Sequence, residues 1–254
     1  MSEKEKFEYE RFNWKNQAVS RVTKNCLIWW NLIKKWDYVF ASWSFKLKWT
    51  NIMIDMPNFC ALYLDMANKA YNNSDGYLVF KNFKNNEPIN HEELFIYIQD
   101  RISNIIFAFT WLEAFLNENI WAIENYDEKY RYKYIDKYTN EKKEKWPNRI
   151  IDDFSINKKI DVIYDFYKIQ KDSNITESIN KISKIRSRLV HFKRKDTINF
   201  NAWEWTIFDE LLDKNFINYA KLVYDIIEYF VNNSDKEKSI SPYWYSRKDN
   251  CFKK

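Results

Sequence analysis

Glycine is almost missing from this sequence. One glycine, Gly76, and four prolines serve 254 residues. An all-β sandwich or barrel needs turn residues every ~8 to 12 positions, so that class is excluded. A Gly-rich phosphate loop is excluded with it. The three cysteines, Cys26, Cys60 and Cys251, are odd in number, widely spaced and without neighbouring histidines, which argues for a reducing compartment and against a zinc site. Long hydrophobic runs are missing too. The most apolar stretch, Ile105 to Leu116, is interrupted by Thr110 and Glu113 and falls short of the ~18 residues of a membrane span. The opening Met-Ser-Glu-Lys-Glu-Lys carries both signs of charge, with no apolar core of ~7 to 15 residues to make a secretory signal. These absences predict a cytoplasmic chain with no membrane segment.

What is present is apolar and aromatic. Hydrophobic residues make up 46% and aromatic residues 19% of the chain, enough to bury a large core. With so few chain breakers, long helices are the natural architecture. The net charge of +5 is unevenly distributed: Ser178 to Lys195 holds seven basic residues and no acidic one, leaving 34 basic against 36 acidic elsewhere. A local basic patch on a near-neutral body is the footprint of a phosphate or nucleic-acid binder. A solvated cationic helix face would look the same.

Three regions follow along the chain. Residues 1–90 form an N-terminal extension. Within it, Val39, Ala41, Trp43, Phe45, Leu47 and Trp49 alternate with polar positions from Ser42 on, the period of a half-buried strand. Asn25 to Ile33 is the expected partner in a β-hairpin near 25–50. After Pro57, Leu62, Met66 and Ala70 mark a short helix over 58–71, and the Asn-rich 72–90 reads as a loop. The tryptophans Trp29, Trp30, Trp36, Trp43 and Trp49 read as core, although bases can stack on such rings.

Residues 91–235 predict an up-and-down helical bundle, so the fold class is all-α with a small β-hairpin in the extension. Asn90 and Glu93 predict a capping box opening a helix to about Glu124, with Ile98, Ile102, Ile105, Phe109, Leu112, Leu116, Ile120 and Ile123 along one stripe. His91 beside Glu92 and Glu93 belongs to that helix start; no metal site and no cofactor are expected. The Lys-, Tyr- and Glu-rich 127–145 reads as a solvated helix or connection, and 149–167 as one or two shorter helices. Ile175, Ile179, Ile182, Ile185, Leu189 and Phe192 trace a stripe through the basic segment. A last helix is expected over 213–232 with Phe216, Ala220, Val223, Ile227 and Phe230 inward, and 236–254 is a tail.

The chemistry-bearing constellation is Ile185-Arg186-Ser187-Arg188-Leu189-Val190-His191-Phe192. An imidazole, ordinarily titrating near ~6.5, exchanges protons at neutral pH, and a guanidinium holds a phosphate and neutralises charge developing on it. Residues five apart point ~140° from each other on an ideal helix, so Arg186 and His191 converge only if the helix ends near Val190 or if they act across a dimer seam. Thr110, Glu113 and Asn117, three and four apart, form a polar strip on an otherwise apolar helix. The strip fits either a hold on Arg186 or His191 by Glu113 or an ordinary interhelical hydrogen bond.

The Arg-polar-x-x-x-His pattern at the end of a late helix resembles that of the HEPN (higher eukaryotes and prokaryotes nucleotide-binding) superfamily of helical ribonucleases. Arg186 and His191 match its arginine and histidine, and Leu189-Val190 its apolar pair. Ser187 stands where asparagine is usual, supplying one short hydroxyl in place of an amide with donor and acceptor. The segment Phe109-Thr110-Trp111-Leu112-Glu113-Ala114-Phe115-Leu116-Asn117-Glu118 is similar to a Glu-Ala-Phe-aliphatic-Asn wording in bacterial members. The resemblance covers about 91–235 and leaves 1–90 unexplained.

That resemblance implies metal-independent RNA cleavage by 2′-hydroxyl attack. Arg186, His191, Ser187 and Glu113 would be the catalytic set, with Lys184, Arg188, Lys193, Arg194, Lys195 and Asn117 on the RNA. One motif histidine per chain implies a homodimer with a composite site. Bacterial toxins and abortive-infection (antiphage) effectors are the similar proteins, so a cognate antitoxin or sensor protein is an expected partner. Two other readings stay open: a non-catalytic RNA-binding or scaffolding bundle, in which binding survives loss of His191, and a protein-interaction module built on the aromatic N-terminal region.

Overall fold

The computed structural model describes residues 19–21, 26–28, 31–33, 38–40, 42–47, 50–55, 59–75, 90–136, 138–191, 206–213 and 215–234. These residues are mostly helical. In chain order they form strands β1 (Val19–Arg21), β2 (Cys26–Ile28), β3 (Asn31–Ile33), β4 (Tyr38–Phe40), β5 (Ser42–Leu47) and β6 (Thr50–Asp55), then helices α1 (Phe59–Asp75) and α2 (His91–Tyr126). Strands β7 (Tyr132–Ile135) and β8 (Lys142–Lys145) follow, and then α3 (Pro147–Asp153), α4 (Ile156–Phe166), α5 (Ser173–Val190), α6 (Ile207–Leu211) and α7 (Tyr219–Asn233). No helix among the described residues is long and apolar enough to cross a membrane. The chain divides into two compact units, residues 1–62, 114–169 and 233–254 in the first and 63–113 and 170–232 in the second. The expected tail over 236–254 lies outside the described residues, and so does the expected loop over 72–90 apart from its two ends: 72–75 are helical, extending α1 to Asp75, and Asn90 leads into α2.

In the first unit the strand expected over 39–49 exists in part as β4 and β5, but its pairing differs. β5 pairs antiparallel with β6, setting Trp43, Phe45 and Leu47 opposite Ile54, Ile52 and Thr50. The 25–33 segment instead folds on itself as β2 and β3. Ile52 and Ile54 resume the alternation at even positions, which an antiparallel partner so near in the chain sets against the odd positions of β5 with little loop entropy.

Residues 127–145 are the second difference. They form a hairpin, β7 with β8, with Tyr132 opposite Lys145 and Tyr134 opposite Lys143. Tyr130, Tyr132 and Tyr134 are spaced by two, and tyrosine favours strands, so the period-two signal overrides the helix-forming lysines. Phe154 meets Tyr132 and Tyr134 edge-on at 6.0 and 5.2 Å. Lys158 lies 4.8 Å from the Phe154 ring centre. At the turn, Asp136 accepts the amides of Tyr138 and Thr139 at 2.9 and 3.1 Å and the Lys143 ammonium at 2.9 Å, while Asn140 takes the left-handed conformation at φ 55, which asparagine tolerates. The core of this unit is Phe115, Leu116, Ile120 and Ile123 of α2 with Ile150, Ile160, Ile163 and Phe166. Tyr167 fastens it by donating to the Asn119 carbonyl at 3.1 Å.

In the second unit α2 starts at the expected place. The Glu92 amide bonds Asn90 Oδ1 at 2.9 Å. The helix runs 36 residues, roughly 54 Å. Two buried polar side chains interrupt its apolar stripe. Asn104 donates to the Ala67 carbonyl at 2.9 Å and accepts the Tyr219 amide at 3.0 Å, tying α1 and the start of α7 to α2. Arg101 donates to the carbonyls of Leu211 and Asp213 at 2.8 and 2.6 Å, its guanidinium between the rings of Tyr97 and Phe216 at 4.1 and 4.3 Å. It thereby neutralises carbonyls exposed at the end of α6.

One helix boundary and one buried face differ from the sequence reading. α7 opens at Tyr219 rather than Asp213, because Asn218 caps it by accepting the amides of Ala220 and Lys221. Its inward residues Ala220, Val223, Ile227 and Phe230 are buried, as is Phe216 before it. In α1 the buried line is Cys60, Leu64, Ala67 and Ala70, while Leu62 is exposed. The line is displaced from the Leu62, Met66, Ala70 stripe because small residues allow α1 to approach Asn104.

Two outcomes test these anchors. Asn104→Ala leaves a buried carbonyl and a buried amide without their bonds, and should lower unfolding free energy by about 2–4 kcal/mol in urea titrations; a loss below ~1 kcal/mol would remove Asn104 as an anchor. Asp136 is held below its ordinary pKa of 3.8, first by the Lys143 hydrogen bond and then by the turn amides. A depressed folded-state pKa gives stability that is present above 3.8 and lost as pH falls through the lower folded value. The Tyr138 and Thr139 amide signals should therefore hold their native positions through the ordinary carboxylate range and shift only below it, and Asp136→Asn should abolish that late transition.

Candidate functional site

Helix α5 carries the basic motif. Asp172 caps it, accepting the amides of Asn174 and Ile175 at 2.7 and 3.3 Å. The helix then runs on branched and charged residues to Val190. Its buried residues are Ile179, Ile182, Ile185 and Arg188, so the apolar stripe ends in a guanidinium. Lys184 is exposed and stands in solvent. Phe192 and the RNA-contact candidates Lys193, Arg194 and Lys195 lie outside the described residues.

Arg186 falls four residues after Ile182 and seven after Ile179, on the inward arc of the helix. Its side chain is half-buried, with the guanidinium carbon 5.0 Å from the centre of the Phe109 ring on α2. Among the described residues it makes no hydrogen bond or ion pair. Five N–H donors on a planar, permanently charged group are thus left for an incoming acceptor.

The helix ends at the motif histidine. His191 is the C-cap, with φ −110 and ψ 62, and its amide bonds the Ser187 carbonyl at 2.9 Å. The backbone departs from helical geometry at the motif histidine, so the ~140° divergence of an unbroken helix does not fix its direction. His191 and Ser187 are both exposed and Val190 is 50% exposed. This end of α5 therefore presents an imidazole, a hydroxyl and an apolar side chain to solvent.

Glu113 lies one turn beyond Phe109 on the same side of α2 and is half-buried. Arg186 rests on the ring rather than on this carboxylate, so the hold expected from Glu113 is not among the bonds of Arg186. Thr110 donates to the Ile106 carbonyl of its own helix at 2.8 Å. Asn117 belongs to the other unit and has its side-chain oxygen buried without a hydrogen bond.

Sequence reasoning missed two residues. Arg188 is 9% exposed and so is not the surface cation for RNA that the charge pattern expects; it lies three residues after Ile185, on the buried face. Phe109 was counted as core and nothing more. Extending the Ile179, Ile182, Ile185 series would have found the first, and asking what an inward arginine rests on would have found the second. Among the described residues, no three His, Cys, Asp or Glu side chains gather as a metal site requires.

The different burial of the two arginines can be measured. Arg188→Met should cost more than about 2 kcal/mol, because the groups that Arg188 engages inside the protein lose their partner. Arg186→Met should cost less than ~1 kcal/mol, since its donors are uncommitted. Equal losses in paired thermal and urea unfolding would contradict the assignment. No protein-family model matches the chain, and neither a curated protein nor a solved structure matches it.

Proposed function

We propose that this protein is a metal-independent endoribonuclease whose residues 91–235 form a HEPN-like helical bundle. The observation that carries the reading is Arg186: a half-buried guanidinium held on an aromatic ring, its donors uncommitted among the described residues, five positions before an exposed histidine at which the helix ends. A cation kept inward without an anion is electrostatically unfinished, and a phosphate completes it. The local cationic charge of 178–195 attracts a polyanion to the same place.

In the proposed reaction the substrate's 2′-hydroxyl attacks the adjacent phosphorus and the bond to the 5′-oxygen breaks. A 2′,3′-cyclic phosphate and a 5′-hydroxyl result. His191 moves protons, taking the 2′-hydroxyl proton or giving one to the leaving oxygen, and Arg186 binds the phosphate and stabilises its extra negative charge. Ser187 donates its hydroxyl to the same phosphate, and Lys184 with Lys193, Arg194 and Lys195 contacts the RNA backbone. Since acid and base need two imidazoles, two chains pair so that both His191 side chains share a cleft. A toxin or antiphage effector silenced by an antitoxin or sensor protein fits such an activity.

The test is cleavage of a labelled mixed-sequence RNA in excess EDTA. Wild type should generate cyclic-phosphate ends, and His191→Ala and Arg186→Ala should each slow cleavage by about 100-fold or more. RNA that stays intact, together with salt-sensitive binding that survives His191→Ala, would replace this reading with a non-catalytic RNA-binding bundle.

A further inference from the structure

We infer that Phe109 is the positioning residue for Arg186, an aromatic platform that holds the guanidinium in place without neutralising it. The inference rests on the ribonuclease reading and adds a residue to it.

Arginine is long and flexible, so an uncommitted one ordinarily samples many rotamers and meets a ligand in few of them. The usual restraint is a carboxylate, which would consume the charge the phosphate needs. A ring restrains differently. Its quadrupole attracts the cation over its face, while the N–H groups around the guanidinium edge stay available for hydrogen bonds. The ring itself is fixed: Phe109 is 7% exposed on α2, between the fully buried Ala108, Trp111 and Leu112.

Arg101 and Arg131 show what ring-seated arginines do when they are structural. Arg101 lies between Tyr97 and Phe216 and donates to two carbonyls. Arg131 lies on Trp146 and donates to the Tyr130 carbonyl. Arg186 shares their seating on a ring, but its donors are not spent on the fold among the described residues.

A double-mutant cycle tests this with two probes, a cleavable RNA and the same sequence with every 2′-hydroxyl replaced by 2′-fluoro, which binds but cannot react. Phe109→Leu should weaken binding of the fluoro RNA, or lower the cleavage rate, by roughly 5- to 30-fold. Phe109→Tyr should retain wild-type values. In an Arg186→Ala background, Phe109→Leu should cause no further loss of binding. Each value is normalised to folded protein by circular dichroism, with Phe109→Met replacing Phe109→Leu should the latter fail to fold. A Phe109→Leu protein that binds and cleaves like wild type would overturn the platform, and so would an equal loss in both backgrounds. Wild-type binding and cleavage in Arg186→Ala alone is a separate result, which removes the ribonuclease reading and the inference with it.

Discussion

The side chain of Asn104 fixes the second unit. One amide group, fully buried in the apolar stripe of α2, completes a carbonyl of α1 and an amide at the start of α7. Apolar packing is non-directional and tolerates sliding, whereas two hydrogen bonds from one rigid group do not. Arg101, one turn earlier, adds the carbonyls of Leu211 and Asp213 at the end of α6 to the same helix. Phe109 follows five residues after Asn104 on the helix so anchored.

Stripes of branched and aromatic residues were the most legible part of the sequence. The inward residues of α7 came straight from their spacing, because the helix has uninterrupted apolar periodicity, whereas the stripe of α2 was legible from Ile105 to Ile123 and hid the buried Arg101 and Asn104. The 127–145 hairpin was obscured because lysine and glutamate favour helices while the tyrosines beside them favour strands. The tyrosine spacing prevails, and the ring of Phe154 packs against Tyr132 and Tyr134. Caps were half visible. Asn90 was expected, whereas Asn218 lay inside a pattern that already looked helical and moved the start of α7 by six residues, from Asp213 to Tyr219.

At the motif, the sequence supplied Arg186 and His191 but not their environments. A basic run reads as a uniform cationic face, yet burial sorts it into solvent lysine at Lys184, a ring-seated guanidinium at Arg186 and a buried one at Arg188. Three side chains of one sign within five positions thus have three different energies. Helix phase determines which is which, and phase depends on the partner surface offered by α2. Glu113 was the natural guess for that surface since opposite charges attract. The observed partner is a hydrocarbon ring, which attracts a cation while carrying no net charge.

The β7–β8 hairpin bears on how much of the protein's positive charge an RNA would meet. Lys133, Lys143 and Lys145 each pair with a carboxylate, of Glu144, Asp136 and Asp153. Lysines already matched in this way hold few condensed anions and gather few phosphates. On the proposed reading, the counterions exchanged when RNA docks, which set how steeply affinity falls with ionic strength, should therefore leave these three lysines out of the count.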